Sequence, residues 1–205
     1  MAAGMNMNVQ SNIDQVVRQF RGMPKRVVTK AVVTALNKIG KEVTTEAKRQ
    51  LADKTGLKKG TVAKRIKMDK ASRQKEEVTV RIGGRWLNLI EFGARETKRG
   101  VSHKAWGRRQ VTKGAFFFKG SNSGKQLVGK KPKGTKTGKR GKPILERRVK
   151  GLVGAHIPTE FFRGDVDKIL KRKIASRFNK LLATALDFQF SKELKKDKVI
   201  GRFLK

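Results

Sequence analysis

The side chains with most chemical potential are cations crowded into the middle of the chain. Arg95, Lys98, Arg99, Lys104, Arg108 and Arg109 surround Trp106 and His103, and Lys130, Lys131, Lys133, Lys136, Lys139, Arg140 and Lys142 follow on a glycine-spaced backbone. Cations at this density suit a polyanion, whose condensed counterions they displace. Contacts of this kind position a phosphate chain without reading its sequence. A solvated basic surface, or one that meets an acidic protein, has the same composition. Trp106 has two readings, a base-stacking residue or a packing residue, and a lone Trp in a basic stretch is more often the second.

Other chemistry is excluded in turn. The chain has no Cys, which removes disulfides, thiol nucleophiles and thiolate metal sites. His103 and His156 are its only imidazoles and lie far apart in sequence, with no further ligands grouped around either. Gly134-Thr135-Lys136-Thr137-Gly138-Lys139-Arg140 approaches a phosphate-binding loop but has one residue too few between its glycines, and Arg140 stands where a Mg²⁺-holding hydroxyl is needed. Ser102 precedes His103 directly, yet adjacency is not a nucleophile and base pair, and no orienting carboxylate accompanies it. Only Glu96 and Glu146 occupy residues 93–150, too few acids for two-metal phosphodiester chemistry. A protein without enzymatic activity and without a cofactor is expected.

The charge balance points the same way. The 205 residues hold 52 Lys+Arg against 16 Asp+Glu, a formal net charge of +36. Residues 93–150 carry 19 basic and 2 acidic side chains, close to half of that excess. Self-repulsion of this size opposes compaction until an anionic partner relieves it. Apolar residues reach only 37%, below the roughly 45–50% of average globular domains, so the core should be small. No window approaches the ~20 apolar residues of a spanning helix. Met1–Asn8 has neither the basic nor the apolar region of a secretory signal, so synthesis and assembly in a cytoplasm are expected, with no membrane partner.

The elements that must position these cations are helical at both ends. Asn12–Phe20 reads as a short amphipathic stretch. Pro24 then suits the first turn of a helix whose Val28, Val32, Leu36, Ile39, Val43, Ala47 and Leu51 recur every three or four residues. Gly56 is a plausible stop, and Leu57, Val62 and Ile66 suggest a shorter basic helix. Val78, Val80 and Ile82 alternate as a strand, Gly83-Gly84 supplies a turn, and Trp86 to Phe92 makes a second strand of the same hairpin. Phe116-Phe117-Phe118 adds a third strand and Pro143 to Val149 a fourth. From Gly120 to Lys142 the composition predicts a mobile loop. From Thr159 onward Phe162, Val166, Ile169, Leu170, Ile174, Phe178, Leu181, Leu182, Ala185 and Leu186 follow helical spacing, with Gly164 delaying or kinking the start and Asp165 and Asp167 near it. Phe188, Phe190, Leu194, Val199, Ile200, Phe203 and Leu204 continue beyond one buried stripe, which suits docking on a partner. The fold class is α+β: two long terminal helices, a small central antiparallel sheet and a long basic loop. The expected organisation is an N-terminal segment 1–22, a single domain 23–190 with the loop 120–142, and a docking tail 191–205.

In its layout the chain resembles the minor tail protein Z family of long-tailed phages, also called tail completion proteins. The matching features are the N-terminal helix ending around Thr45-Glu46-Ala47-Lys48, the basic Thr55–Lys67 stretch, the arginine-rich approach to Gly114-Ala115-Phe116-Phe117, Pro143-Ile144, and Ile157-Pro158 opening the C-terminal helix. The lysine-rich stretch Ser121–Lys142 is longer and richer in glycine than that family's pattern. The resemblance implies a structural virion protein at the head-proximal end of the tail, in the neck region where head and tail join. Implied partners are the tail terminator, tape measure and tail tube, with a homo-oligomeric ring possible, non-specific contact with the genome end, and a fold similar to tail-completion and tail-terminator proteins. A free nucleic-acid-binding module of the ribosomal or nucleoid-associated kind is the alternative from another class, and a lysine-rich assembly chaperone a third.

Overall fold

A computed structural model describes residues 5–10, 24–120, 124–131, 149–163 and 165–203, the strand 5–10 and the segment 196–203 as backbone only. The helices are α1 (Lys25–Thr55), α2 (Lys59–Ala63), α3 (Ile157–Arg163) and α4 (Val166–Phe203). The strands are β1 (Met5–Gln10), β2 (Ile66–Asp69), β3 (Glu77–Ile82), β4 (Arg95–Thr97), β5 (Gly100–His103), β6 (Gln110–Lys113), β7 (Ala115–Lys119), β8 (Gln126–Lys130) and β9 (Lys150–Gly151). They form three antiparallel sheets, ordered β1-β3-β2, β4-β5-β6 and β7-β8-β9. This is the α+β class that the sequence pattern implied. The chain divides into two compact units: residues 4–48, 66–82 and 165–205 in one, and 1–3, 49–65 and 83–164 in the other. Among the described residues no helix is long and apolar enough to cross a membrane.

The first unit joins a sheet to two long helices. Val28, Val32, Leu36, Ile39, Val43 and Ala47 of α1 are completely buried, as their spacing predicts. The central strand β3 contributes Val78, Val80 and Ile82 to the same core. Helix and sheet meet at Gly40, where a Cβ would lie 2.6 Å from Val78 Cγ1 and 3.0 Å from Met68 Sδ. Asn37 then fixes the chain after β2, its Nδ2 donating to the Ala71 carbonyl at 3.1 Å and its Oδ1 accepting from the Ala71 N–H at 2.9 Å.

α1 and α4 are bound by ion pairs that keep one register. Arg26 pairs with Glu193 at 3.1 Å, Glu42 with Arg177 at 2.9 Å and Glu46 with Lys173 at 3.2 Å. Each step forward on α1 is matched by an equal step back on α4, so the helices run antiparallel along this whole length. α4 opens where the sequence placed its acids: the Asp165 carbonyl accepts from the Ile169 N–H at 3.1 Å and its carboxylate holds Lys168 at 2.9 Å.

The second unit is built from short elements. Phe92 and Phe161, each 1% exposed, anchor a core with Val62, Val101, Ala105, Val128 and Ile157. Asn88 ties it together. Its Oδ1 accepts from the N–H groups of Ile90 at 3.1 Å and Val128 at 2.8 Å, while Nδ2 donates to the Val128 carbonyl at 3.0 Å, so one side chain both caps a turn and extends β8. Gly154 carries no Cβ because the Phe92 ring fills that space.

Several expectations are corrected. The hairpin does not form: β3 pairs with β1 and β2, and Leu89–Phe92 is a 3₁₀ turn. The bond from Ile90 N–H to the Asn88 side chain diverts that backbone from a ladder, and the Gly83 N–H donates to the Arg65 carbonyl instead of closing a two-residue turn. Met5–Gln10, read only for targeting signals, is a strand whose Met5, Met7 and Val9 stand opposite Ile82, Val80 and Val78. The basic helix after Gly56 stops at Ala63, since Ile66 enters β2 opposite Ile82. Within the expected loop, Gln126–Lys130 forms β8 against β7, with Val128 completely buried opposite Phe117. The C-terminal helix is two: Asp165, at φ 53, separates α3 from α4, and Phe162 is 60% exposed rather than part of a buried stripe. Residues 121–123 and 132–148, with the rest of the loop and the strand expected from Pro143, and the stretch Asn12–Phe20 lie outside the described residues.

Candidate nucleic-acid interface

Of the first predicted group, Arg95 lies in the β4-β5-β6 sheet and Lys98, Arg99, Lys104, Arg108 and Arg109 lie in the turns beside its strands. In β4-β5-β6, Arg95 stands opposite Ser102, and Ser102 opposite Val111. Side chains alternate across a strand, so these three share one face, and Thr97 and Lys113 share it two residues on. Arg109 joins them by donating to Ser102 Oγ at 3.0 Å. Glu96 is one residue out of step with Arg95 and therefore belongs to the opposite face.

Lys98 and Arg99 form the turn between β4 and β5, both exposed. Gly100 closes that turn at φ 139, and a Cβ there would run into the Thr112 carbonyl oxygen. Thr97 Oγ1 donates to the Gly100 carbonyl at 2.8 Å, which locks the same corner. At the other end of the sheet Lys104 and Arg108 are exposed on either side of the Ala105–Gly107 turn.

His103 is not one of the cations. It is 4% exposed, and burial pushes its pKa below the ordinary imidazole value. The Ala105 N–H donates to Nδ1 at 3.4 Å, which places the proton of the neutral ring on Nε2, facing Thr112 Oγ1 at 3.0 Å. The ring is part of the scaffold under the basic face.

Trp106 departs from its packing expectation. It is 46% exposed and holds a left-handed backbone at φ 54, ψ 36. Its Nε1–H donates to Oε1 of the buried Glu160 at 3.4 Å.

Of the second predicted group, Lys130 and Lys131 are described. Lys130 lies in β8, its Cε 3.6 Å from where a Gly114 Cβ would be, and the Gly114 N–H donates to the Arg99 carbonyl at 3.2 Å. Lys130 thus reaches the base of the Lys98-Arg99 turn. Lys131 Nζ sits 6.0 Å from the centroid of the Phe116 ring. Lys133, Lys136, Lys139, Arg140 and Lys142 lie outside the described residues.

Two further cations belong to this surface and escaped the sequence reading. Lys113 is exposed opposite Gly100, and Lys150 is exposed directly opposite Lys130 across the β8–β9 ladder. Like charges in direct register are unfavourable for a sheet. Lys113 lies four residues beyond the Arg95–Arg109 cluster, and only strand register puts Lys150 beside Lys130.

Among the described residues, Arg95, Lys98, Arg99, Lys104, Arg108, Arg109, Lys113, Lys130 and Lys150 make no ion pair. No group of three or more His, Asp or Glu among those residues is placed to hold a metal ion. An open groove of about 420 Å³ lined by Lys41, Glu42, Thr45, Lys173 and Arg177 lies in the other unit, and Lys173 and Arg177 are bound there to Glu46 and Glu42.

The family described as prophage minor tail protein Z matches residues 11–196 of the chain. No curated protein and no solved structure matches it.

Proposed function

Since the chain belongs to the prophage minor tail protein Z family, a family of phage tail components, we propose that it completes the tail at its head-proximal end and holds the genome end there. The observation that carries this reading is the basic face of the second unit. Arg95, Arg109 and Lys113 share one side of a sheet, Lys98 and Arg99 edge it, and Lys130 and Lys150 oppose each other without a carboxylate between them. A surface that accepts like-charge repulsion in the folded state gains most from an anion that arrives later. Duplex DNA presents one charge per ~1.7 Å and needs no base reading to be held.

The second contact is with protein. Phe188, Phe190 and Leu194 of α4 are 63%, 41% and 48% exposed, which suits docking on tail neighbours such as the terminator, tape measure or tube. These apolar positions favour a virion component, assembled in the host cytoplasm and placed as a ring in the neck, over a free nucleic-acid-binding protein. The α+β arrangement is in keeping with tail-completion and tail-terminator folds.

Binding of the purified chain to unrelated duplexes across a salt series tests the genome contact. Affinity should fall steeply with salt and be equal for all sequences. Affinity that ignores salt would overturn it.

A further inference from the structure

We propose that Trp106 is a stacking platform for an unpaired base, so that the basic unit takes a single-stranded DNA terminus as well as duplex; this rests on the genome-contact reading above. Three observations converge on it.

The first is strain. A bulky residue at φ 54, ψ 36 is a true outlier, and such backbone persists only where its surroundings enforce it. Here they do: Ala105 is completely buried, the Lys104 N–H donates to the Phe92 carbonyl at 3.0 Å, and a Cβ at Gly56 would strike both the Lys104 carbonyl before Trp106 and, at 2.7 Å, the Gly107 nitrogen after it. The turn is clamped on both sides of an indole that itself stays nearly half exposed.

The second is orientation. Glu160, in α3, receives the Nε1–H and so holds the ring by its edge. An in-plane bond at the edge leaves the π faces available. Trp86 offers the contrast, since it is 57% exposed but stacked on His156 with centroids 5.1 Å apart and planes 26° apart. Among the described residues no ring stacks on Trp106.

The third is charge. Lys104 and Arg108 flank the indole two residues away on each side, exposed and without ion pairs, and Arg109 follows. A cationic partner would be repelled, whereas a nucleotide brings a flat π face with phosphates on both sides of it. Base stacking on an aromatic residue with cations along the backbone is how single strands are held irrespective of sequence. Inside a duplex both faces of each base are covered by its neighbours, so the platform selects an unpaired or terminal base.

The test uses the full chain carrying Trp86→Phe, which leaves Trp106 as the only indole, titrated with a short single strand, an abasic strand of equal phosphate number, and a duplex. The single strand should quench the indole and bind about 5- to 100-fold more tightly than the abasic strand. Trp106→Ala should reduce single-strand affinity to the abasic level and leave duplex affinity unchanged, while Trp106→Phe retains most of it. Trp106→Asn, which suits left-handed backbone, should melt no lower than Trp106→Ala while losing the same affinity. Glu160→Ala should shift the indole emission and weaken single-strand binding, and Glu160→Gln should restore both. Equal binding of single and abasic strands, with duplex bound normally, overturns the stacking role alone. Failure to bind any of the three ligands overturns the genome-contact reading with it. Normal DNA binding by Trp106→Ala, combined with its loss from assembled particles, would assign the indole to a protein neighbour and also overturn the proposal.

Discussion

The two units treat charge in opposite ways. Along α1 and α4, three acids each hold a base of the facing helix in one register, Arg26 on Glu193, Glu42 on Arg177 and Glu46 on Lys173, and Asp69 is likewise bound to Arg81 at 2.6 Å. In the β4-β5-β6 and β7-β8-β9 sheets the basic residues lie in register with one another or with neutral partners, as Lys130 with Lys150 and Arg95 with Ser102. A chain with a net charge of +36 has too few carboxylates for all its cations. It places several on the helix pair, where they set register, and leaves the sheets unneutralised. The difference separates charge that builds the molecule from charge left open to the anionic ligand proposed above.

The sharpest way to break that comparison is to neutralise one set at a time. Changing Arg95, Arg99, Arg109 and Lys113 together to Gln should cut duplex affinity by on the order of 100-fold at low salt and lower the salt slope by about one per lost phosphate contact. Changing Arg26, Lys173 and Arg177 to Gln should leave the affinity unchanged. A filter-binding or anisotropy salt series measures both, and equal losses from the two sets would erase the distinction.

The next largest effect concerns the scaffold beneath the cations. Asn88→Ala removes three hydrogen bonds and strands the Val128 N–H, while the Val128 carbonyl keeps the Leu152 N–H at 2.8 Å, for a cost of about 1–3 kcal/mol. Urea melts would show it as a lowered midpoint. Asn88→Asp keeps the acceptor for Ile90 and Val128 and loses only the donor, so it should fall between. A loss below ~0.5 kcal/mol for Asn88→Ala would mean the strands hold together without it.

Asn88 also marks what the sequence could and could not disclose. Helix α1 was legible because one long element buries one stripe, and a 3.6-residue period survives any tertiary context. Gly56, at φ 72, ends it as a glycine stop should. The second unit is stitched from strands of two to five residues, too short for period to speak, and held by contacts such as Asn88 to Val128 that span distant sequence. β8 was hidden inside a lysine- and glycine-rich composition although Leu127 and Val128 are there. β1 did alternate, Met5-Asn6-Met7-Asn8-Val9-Gln10, and was missed only because an N-terminus is read first for targeting. At the proposed site, clustering in sequence is what points to Arg95 to Arg109, while Lys113 and Lys150 needed strand register and the backbone of Trp106 had no sequence signal at all.

Acid should affect the two units unequally. Burial lowers the His103 pKa in the folded state, so the unfolded chain binds the extra proton more readily. Stability is therefore full above the ordinary imidazole value near 6.5 and falls as pH drops below it. Melts at pH 7.5 and 5.5 should show this loss, and His103→Gln should flatten it. Since His103 lies in β5, hydrogen exchange at pH 5.5 should rise first in β5 and β6 and spare β2 and β3. A uniform rise would mean the units do not open separately.

The smallest effect is that of the helix-pair ion pairs themselves. The Arg26 and Glu193 side chains are 62% and 21% exposed, those of Arg177 and Glu42 53% and 30%. Pairs this open to water contribute about 0.2–1 kcal/mol each, and salt weakens them. A double-mutant cycle on Glu42 and Arg177 should return a coupling in that range, shrinking in 1 M salt. The more telling variant exchanges the charges, Glu42→Arg with Arg177→Glu, which preserves the pairing and should recover most of the stability lost by either change alone. Full recovery would mean that α1 and α4 read only complementarity along their shared register, the condition under which charge on this unit is structural. No recovery would mean that Glu42 or Arg177 answers to something other than its partner, and the division between the two units would have to be redrawn.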